Sequence, residues 1–218
     1  MRLFVGIRVS VATANALAGC AETLARRSKD AGVAIKWVAP VNYHVTLKFL
    51  GYTRDDAVRS VEDALATAAV GATGFRLKVA RLGAFDSFER ANVLWAGVED
   101  PAPLTALAAR IDSATAALGF AAEPRPFHPH VTLGRLRETR ALKDVVLPMS
   151  EQMFGDTRVD AITLFESETK SSGSVYREIA RIPFKTASPA PETTFERQTG
   201  ALETADETDD GWPRGHGQ

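Results

Sequence analysis

The segment YHVTLKFL at residues 43–50 alternates between apolar and polar side chains, which is typical of a β-strand with one buried face. Gly51 follows the segment and is expected to end the strand. Strict alternation divides the side chains between two faces of the predicted strand. The predicted core face carries Tyr43, Val45, Leu47 and Phe49, and the opposite face carries His44, Thr46, Lys48 and Leu50.

The tetrapeptide His-Val-Thr-Leu of this strand occurs again at residues 130–133, 86 residues after the first copy. The chain has four histidines. At average composition, the chance that any two of them are followed by the same three residues is about one in a thousand. In each copy the histidine and threonine share one face of a strand, about 6.5 to 7 Å apart. The repeat therefore predicts two equivalent strands that present the same side chains.

Similar elements surround the two copies. Ser10 is placed to cap a first helix, and Thr53 with Asp56 resembles a capping box for a second helix. Gly134 is a position where a bulge would change the register of the second histidine strand. The predicted strands cover residues 2–9, 35–38, 43–50, 75–85, 92–98, 127–136, 157–167 and 174–184, and the predicted helices cover 11–32, 53–71, 101–119 and 140–147.

Strands that follow one another directly favour antiparallel sheets and an α+β fold. Because the second half of the element order repeats the first, we predict two lobes related by a pseudo-twofold axis. Each lobe has a mainly antiparallel sheet with flanking helices, and the lobes face one another across a central cleft. This bilobal domain is expected to span residues 1–185. Residues 186–218 are rich in Pro, Thr, Glu and Gly, carry a net charge of −5, and are predicted to form a disordered acidic tail.

The composition excludes several classes of protein. The chain has 218 residues, of which 45% are hydrophobic and 24% charged, and no segment has the roughly 20 apolar residues of a membrane helix. Its single cysteine, Cys20, excludes an internal disulfide and a cysteine-cluster metal site. We therefore predict a cytoplasmic monomer with no membrane partner. Residues 1–185 carry a net charge of +4, which suits an anionic ligand.

Two imidazoles and two hydroxyls brought together by a pseudo-twofold axis suit in-line displacement at a phosphodiester. A neutral histidine takes the proton of the attacking water, and a protonated histidine delivers a proton to the leaving oxygen. The threonine hydroxyls donate hydrogen bonds to the nonbridging oxygens. No cofactor or metal is needed, although His44, His128 and His130 together leave a metal site as an alternative. Lys48 would either add positive potential to the histidine face or be a solvated side chain.

The stretches at residues 37–51 and 126–135 resemble the two signature motifs of the 2H phosphoesterases, and most closely those of the RNA 2',3'-cyclic phosphodiesterases, also called 2'-5' RNA ligases. The resemblance covers residues 3–184 and implies hydrolysis of a terminal 2',3'-cyclic phosphate of RNA to a 2'-phosphate. It implies the following roles: His44 and His130 as the general acid and base, Thr46, Thr132 and Arg135 as phosphate ligands, and Phe49 as a residue that stacks on the terminal base.

Other functions of the same cleft remain open from the sequence. The expected substrates are RNA ends or nucleoside 2',3'-cyclic phosphates. The enzyme could instead join or cleave 2'-5' linkages, or the cleft could hold an RNA end without turning it over. The presence of histidine in both copies favours an enzyme, because binding alone would be served as well by arginine or lysine.

Overall fold

The computed structural model describes residues 1–170 and 173–184, and within them the chain is an α+β protein with an antiparallel sheet, as predicted. The predicted acidic tail lies outside the described residues. In chain order the elements are β1 (Arg2–Arg8), α1 (Val11–Asp30), β2 (Lys36–Trp37), β3 (His44–Tyr52), α2 (Val58–Ala69), β4 (Phe75–Phe85), β5 (Ala91–Val98), α3 (Ala102–Ala116), β6 (Val131–Arg140), α4 (Lys143–Val146), β7 (Met153–Val159), β8 (Ala161–Lys170) and β9 (Gly173–Pro183).

The strands form one sheet in the order β7-β4-β5-β6-β3-β1-β8-β9, with the short β2 paired to β6. The sheet consists of two four-stranded halves, which correspond to the two predicted lobes. They are joined where β3 meets β6, through the single residue pair Val45 and Val131. Both valines are fully buried, and each directly follows one of the repeated histidines.

The sheet must curl, because β7 and β8 lie far apart in the strand order although only Asp160 separates them in the chain. The prediction of one strand over residues 157–167 was wrong for this reason. Residues up to Val159 pair with β4 in one half of the sheet, and residues from Thr163 onward pair with β1 in the other half. Buried and exposed residues alternate from Thr157 to Ala161, across the point where the partner changes, so the alternation does not reveal the change.

The helices begin and end largely where the sequence predicts. The Ser10 side chain caps α1 by accepting a hydrogen bond from the Thr13 N–H, and the Ser10 N–H donates to Thr157 Oγ1 of β7 at 2.8 Å. The predicted capping box of α2 is wrong. Ala57 occupies the N-cap position without a side-chain hydrogen bond, and the Thr53 hydroxyl donates instead to the Gly51 carbonyl.

The second histidine strand begins later than predicted. Residues 127–130 precede β6, which starts at Val131 and continues to Arg140. Pro126 and Pro129 explain the late start, because a proline has no N–H to donate to a neighbouring strand. The predicted helix over residues 140–147 is reduced to the single turn of α4.

Two bulges in β3 overturn the strict alternation predicted for this strand. Val5 pairs with Lys48 and Gly6 with Thr46, which leaves Leu47 as an extra residue. Lys48 is therefore turned away from the histidine face and is only 6% exposed. Its ammonium group forms an ion pair with Asp112 of α3 and donates to the Ala121 carbonyl at 2.8 Å.

This buried lysine makes Asp112 a structural residue. Asp112→Ala leaves the ammonium group without its counter-ion, and we expect a loss of about 2 to 3 kcal/mol in the free energy of unfolding. Lys48→Met keeps the apolar stem and leaves a carboxylate that is partly exposed, so we expect a loss below about 1 kcal/mol. Urea unfolding of both variants measures this difference, and an unchanged midpoint for Asp112→Ala would contradict it.

Candidate active site

The two repeated histidines flank the valine pair that joins the halves of the sheet. His44 begins β3, and His130 directly precedes β6. Because Val45 pairs with Val131 in an antiparallel arrangement, the two preceding histidines lie diagonally across this pair, one on each side of it. The two imidazoles are close enough for a positive charge on His130 to lower the pKa of His44. The structure thus brings together the two residues that the sequence predicts as acid and base.

Each histidine is oriented by the same hydrogen bond. His44 Nδ1 lies 2.6 Å from the Asn42 carbonyl oxygen, and His130 Nδ1 lies 2.7 Å from the His128 carbonyl oxygen. Because a carbonyl only accepts, Nδ1 carries the proton in both rings, and Nε2 is the nitrogen that can take up a further proton. The Thr46 hydroxyl lies 3.0 Å from His44 Nε2 and, in this tautomer, donates a hydrogen bond to it.

Aromatic rings surround both imidazoles and limit their contact with water. The His44 ring centroid is 4.9 Å from that of Phe4 and 5.1 Å from that of Tyr176. The His130 ring meets Phe85 edge to face at 5.0 Å. Such packing fixes the rings in orientation and disfavours their charged forms.

The pKa values of both histidines are lowered. Burial lowers the pKa of His44 to about 4, the hydrogen bond to Asn42 opposes this shift, and the charge of Arg8 contributes further to it. Burial also lowers the pKa of His130, the hydrogen bond to the His128 carbonyl opposes this shift, and the charge of Arg135 adds to it. Both imidazoles are therefore neutral at pH 7 without a ligand. A bound phosphate dianion or monoanion would raise both pKa values, which couples ligand binding to protonation.

Strand β6 contains a bulge equivalent to the one at Leu47 in β3. Trp95 pairs with Thr132 and Leu94 with Gly134, so Leu133 is the extra residue. The predicted change of register near Gly134 is therefore confirmed one residue earlier. Each bulge lies three residues after its histidine, and each turns the residue five positions after that histidine toward the histidine face.

Phe49 and Arg135 occupy these two equivalent positions. Phe49 pairs with Phe4, which contacts His44, and it is 63% exposed. The assignment of Phe49 to the core face was therefore wrong, because the bulge at Leu47 reverses the alternation. Arg135 is exposed, and its charge acts on both His44 and His130.

Arg8 is a candidate site residue that the sequence analysis missed. It pairs with His44 across the β1–β3 ladder, and its guanidinium lies 5.2 Å from the Phe165 ring centroid and donates to the Val41 carbonyl. Its position at the polar end of an apolar strand was visible in the sequence. The pairing of β1 with β3, which brings it to His44, was not.

In the described part of the chain, no three His, Cys, Asp or Glu side chains lie close enough together to bind a metal ion. The alternative of a metal site at His44, His128 and His130 therefore has no ligand set there. The His128 ring lies 4.8 Å from that of Trp95 and 6.0 Å from that of His130.

No helix among the described residues is long and apolar enough to cross a membrane.

A paired His-x-Thr arrangement at the join of two antiparallel half-sheets defines a 2H phosphoesterase. The family model of the 2'-5' RNA ligase superfamily matches residues 17–171, and the chain belongs to this family. An RNA 2',3'-cyclic phosphodiesterase of Aeropyrum pernix is 30% identical over 155 residues, which cover 69% of this chain and 87% of that protein. A protein of the same name from Archaeoglobus fulgidus is 29% identical over 82% of this chain and 98% of its own length.

Solved structures have the same fold. The protein TT0787 of Thermus thermophilus superimposes with a TM-score of 0.69 at 24% identity, over 84% of this chain and 98% of its own. E. coli LigT in complex with 3'-AMP superimposes with a TM-score of 0.61 at 28% identity, over 84% of this chain and 97% of its own.

Gly6 allows β1 to approach the backbone of β3 closely beside His44. A Cβ atom at Gly6 would lie 2.9 Å from the Val45 carbonyl oxygen and 3.4 Å from His44 Cδ2. Gly6→Ala should therefore push the β3 backbone away at Val45, move His44 with it and lower kcat on a cyclic phosphate roughly 10²-fold. Gly19→Ala is the control, since a Cβ there meets nothing within 4 Å, and alanine should stabilise α1. Equal kcat values for the two variants would refute this role of Gly6.

The lowered pKa of His44 also predicts how stability depends on pH. Between about pH 4 and 6.5 the unfolded chain binds a proton that the folded chain excludes, so stability should fall as the pH is lowered through this range. His44→Gln removes this contribution. Urea unfolding of both proteins at about pH 7 and pH 5 should show the smaller decrease in the variant. A parallel decrease in both proteins would show that His44 is not buried as a neutral group.

Proposed function

We propose that the chain hydrolyses the terminal 2',3'-cyclic phosphate of RNA to a 2'-phosphate through a general acid and a general base, His44 and His130. The observation that carries this proposal is the matched pair of imidazoles, each with Nδ1 bonded to a backbone carbonyl, so that Nε2 is the nitrogen that exchanges a proton. The names of the relatives support the substrate, because curated relatives are RNA 2',3'-cyclic phosphodiesterases.

The reaction needs one histidine in each protonation state. The neutral histidine takes a proton from water as the water oxygen forms a bond to phosphorus. The P–O3' bond breaks, and the protonated histidine delivers its proton to O3'. The product is a 2'-phosphate beside a free 3'-hydroxyl, and the two histidines have exchanged protonation states. The surrounding aromatic rings limit the access of other water to the imidazoles.

The remaining site residues balance the charge of the phosphate. Thr46 and Thr132 donate hydrogen bonds to the nonbridging oxygens, and the Arg135 guanidinium adds a positive charge. We propose that these groups and the imidazolium replace a metal ion. Phe49 stacks on the terminal base. Both halves of the site come from one chain, which is compatible with activity as a monomer.

Substitution of the histidines tests this mechanism. His44→Ala and His130→Ala should each lower kcat roughly 10² to 10⁴-fold on an oligonucleotide that ends in a 2',3'-cyclic phosphate. The double variant should lose little more than the weaker single variant, because the two residues act as a unit. Circular dichroism checks that the variants fold.

The same assay tests the product and the need for a metal. With EDTA present, wild-type turnover should persist, kcat/KM should follow a bell-shaped pH profile, and the product should carry a 2'-phosphate. Turnover by either single variant at the wild-type rate would remove the two-histidine mechanism. Loss of turnover in EDTA that an added divalent ion restores would replace it with a metal-dependent one.

Formation or cleavage of 2'-5' linkages is a second candidate, favoured by the description of the family as 2'-5' RNA ligases. Joining would use the same two histidines, with the 5'-hydroxyl of another RNA in place of water. Adding an RNA with a free 5'-hydroxyl to the assay distinguishes the two reactions by product length. A bound RNA end without turnover would leave only the binding function.

A further inference from the structure

The histidine face of β3 continues beyond the catalytic residues. In antiparallel strands, paired residues point to the same face of the sheet. The residues of β1 that alternate along this face are Arg2, Phe4, Gly6 and Arg8, and they pair with Tyr52, Phe49, Thr46 and His44 respectively. Bulges at Leu47 and Leu50 absorb the two extra residues of β3. They keep Phe49 and Tyr52 in line with His44.

These two aromatic residues are largely open to solvent. Phe49 is 63% exposed and Tyr52 is 89% exposed. Single exposed aromatic residues are common on protein surfaces, but two of them on one row that begins at a catalytic histidine form an ordered surface. Phe49 is supported from below by Phe4, with 6.1 Å between ring centroids. We call Phe49, Tyr52 and Arg2 the aromatic track.

The spacing of the track suits single-stranded RNA. Phe4 and Arg2, which mark the two aromatic positions on β1, are two residues apart, which is about 6.6 to 6.8 Å along a strand. Stacked bases in a duplex strand are about 3.4 Å apart. Adjacent bases on the two rings would therefore be unstacked from one another, as in single-stranded RNA bound to aromatic side chains.

Arg2 supplies positive charge at the far end of the track. It pairs with Tyr52 on the same face and is exposed. In the described residues no ion pair uses Arg2, so its guanidinium remains available to a phosphate. An arginine beside a stacking ring is the combination that binds a nucleotide through both its base and its backbone.

We propose that Tyr52 stacks on the base of the nucleotide preceding the terminal one and that Arg2 binds the phosphodiester near this base. This inference rests on the proposed function. The order along β3 fixes the direction, since Phe49 lies nearer to His44 and Tyr52 lies farther away. The preferred substrate is then a single-stranded RNA of two or more nucleotides, and a nucleoside 2',3'-cyclic phosphate is a poorer one.

The test compares two substrates with the same terminal nucleotide, a nucleoside 2',3'-cyclic phosphate and a dinucleotide that ends in one. Wild-type kcat/KM should be higher for the dinucleotide by roughly tenfold or more, mainly through KM. Tyr52→Ala should bring the ratio of the two values close to one, and Tyr52→Phe should restore it. Met153→Ala, an exposed apolar residue on β7, is the control and should keep the wild-type ratio.

Arg2→Gln gives an independent measurement. It should weaken binding of a 5'-labelled single-stranded RNA that ends in a 2'-phosphate, and should reduce the slope of log affinity against log salt by about one. A wild-type ratio of one, or a ratio that Tyr52→Ala leaves unchanged, would overturn the inference.

Direct binding separates this inference from the proposed function. Fluorescence anisotropy with the same 2'-phosphate RNA does not depend on turnover. Binding that requires Tyr52 in a protein without hydrolytic activity would reject the proposed reaction and support the track. If the wild-type protein hydrolyses the substrate, and Tyr52→Ala binds the RNA with the same affinity as wild type, the proposed reaction is supported and the aromatic track is rejected.

Discussion

The two halves of the sheet meet through one backbone pair, between Val45 and Val131, and the candidate site depends on this join. Because each valine follows a histidine, the pairing sets the position of both imidazoles at once. The join is also short. Longer pairing would extend the flat ladder between β3 and β6, whereas a single pair lets the strands diverge and leaves the histidine face open to a ligand.

A bulge in each half gives the site its two different sides. The bulges at Leu47 and Leu133 occupy equivalent positions and rotate the following residues in the same way. One half thereby presents Phe49, and the other presents Arg135. The pseudo-twofold symmetry of the backbone therefore carries an asymmetric pair of side chains, an aromatic ring suited to a base and a guanidinium suited to a phosphate.

The environment of the histidines favours neutral imidazoles until an anion arrives. Aromatic packing and nearby arginines lower the pKa of His44, while the carbonyl of Asn42 holds the ring in one tautomer. The tautomer matters because it leaves Nε2 as the only nitrogen that can exchange a proton with a substrate. A negatively charged phosphate beside the rings would supply the missing favourable interaction and stabilise the protonated imidazole.

The sequence by itself determined the α+β class, the start of α1 at Ser10 and the common face of each His-x-Thr pair. These features are local: they depend on capping and on the two-residue period of a strand. Only the tertiary structure decided that Lys48 is buried, that Phe49 faces the histidines, that Arg8 lies opposite His44 and that the chain changes partners at Asp160. A bulge or a change of partner depends on the neighbouring strand. The alternation within one strand contains no information about that neighbour.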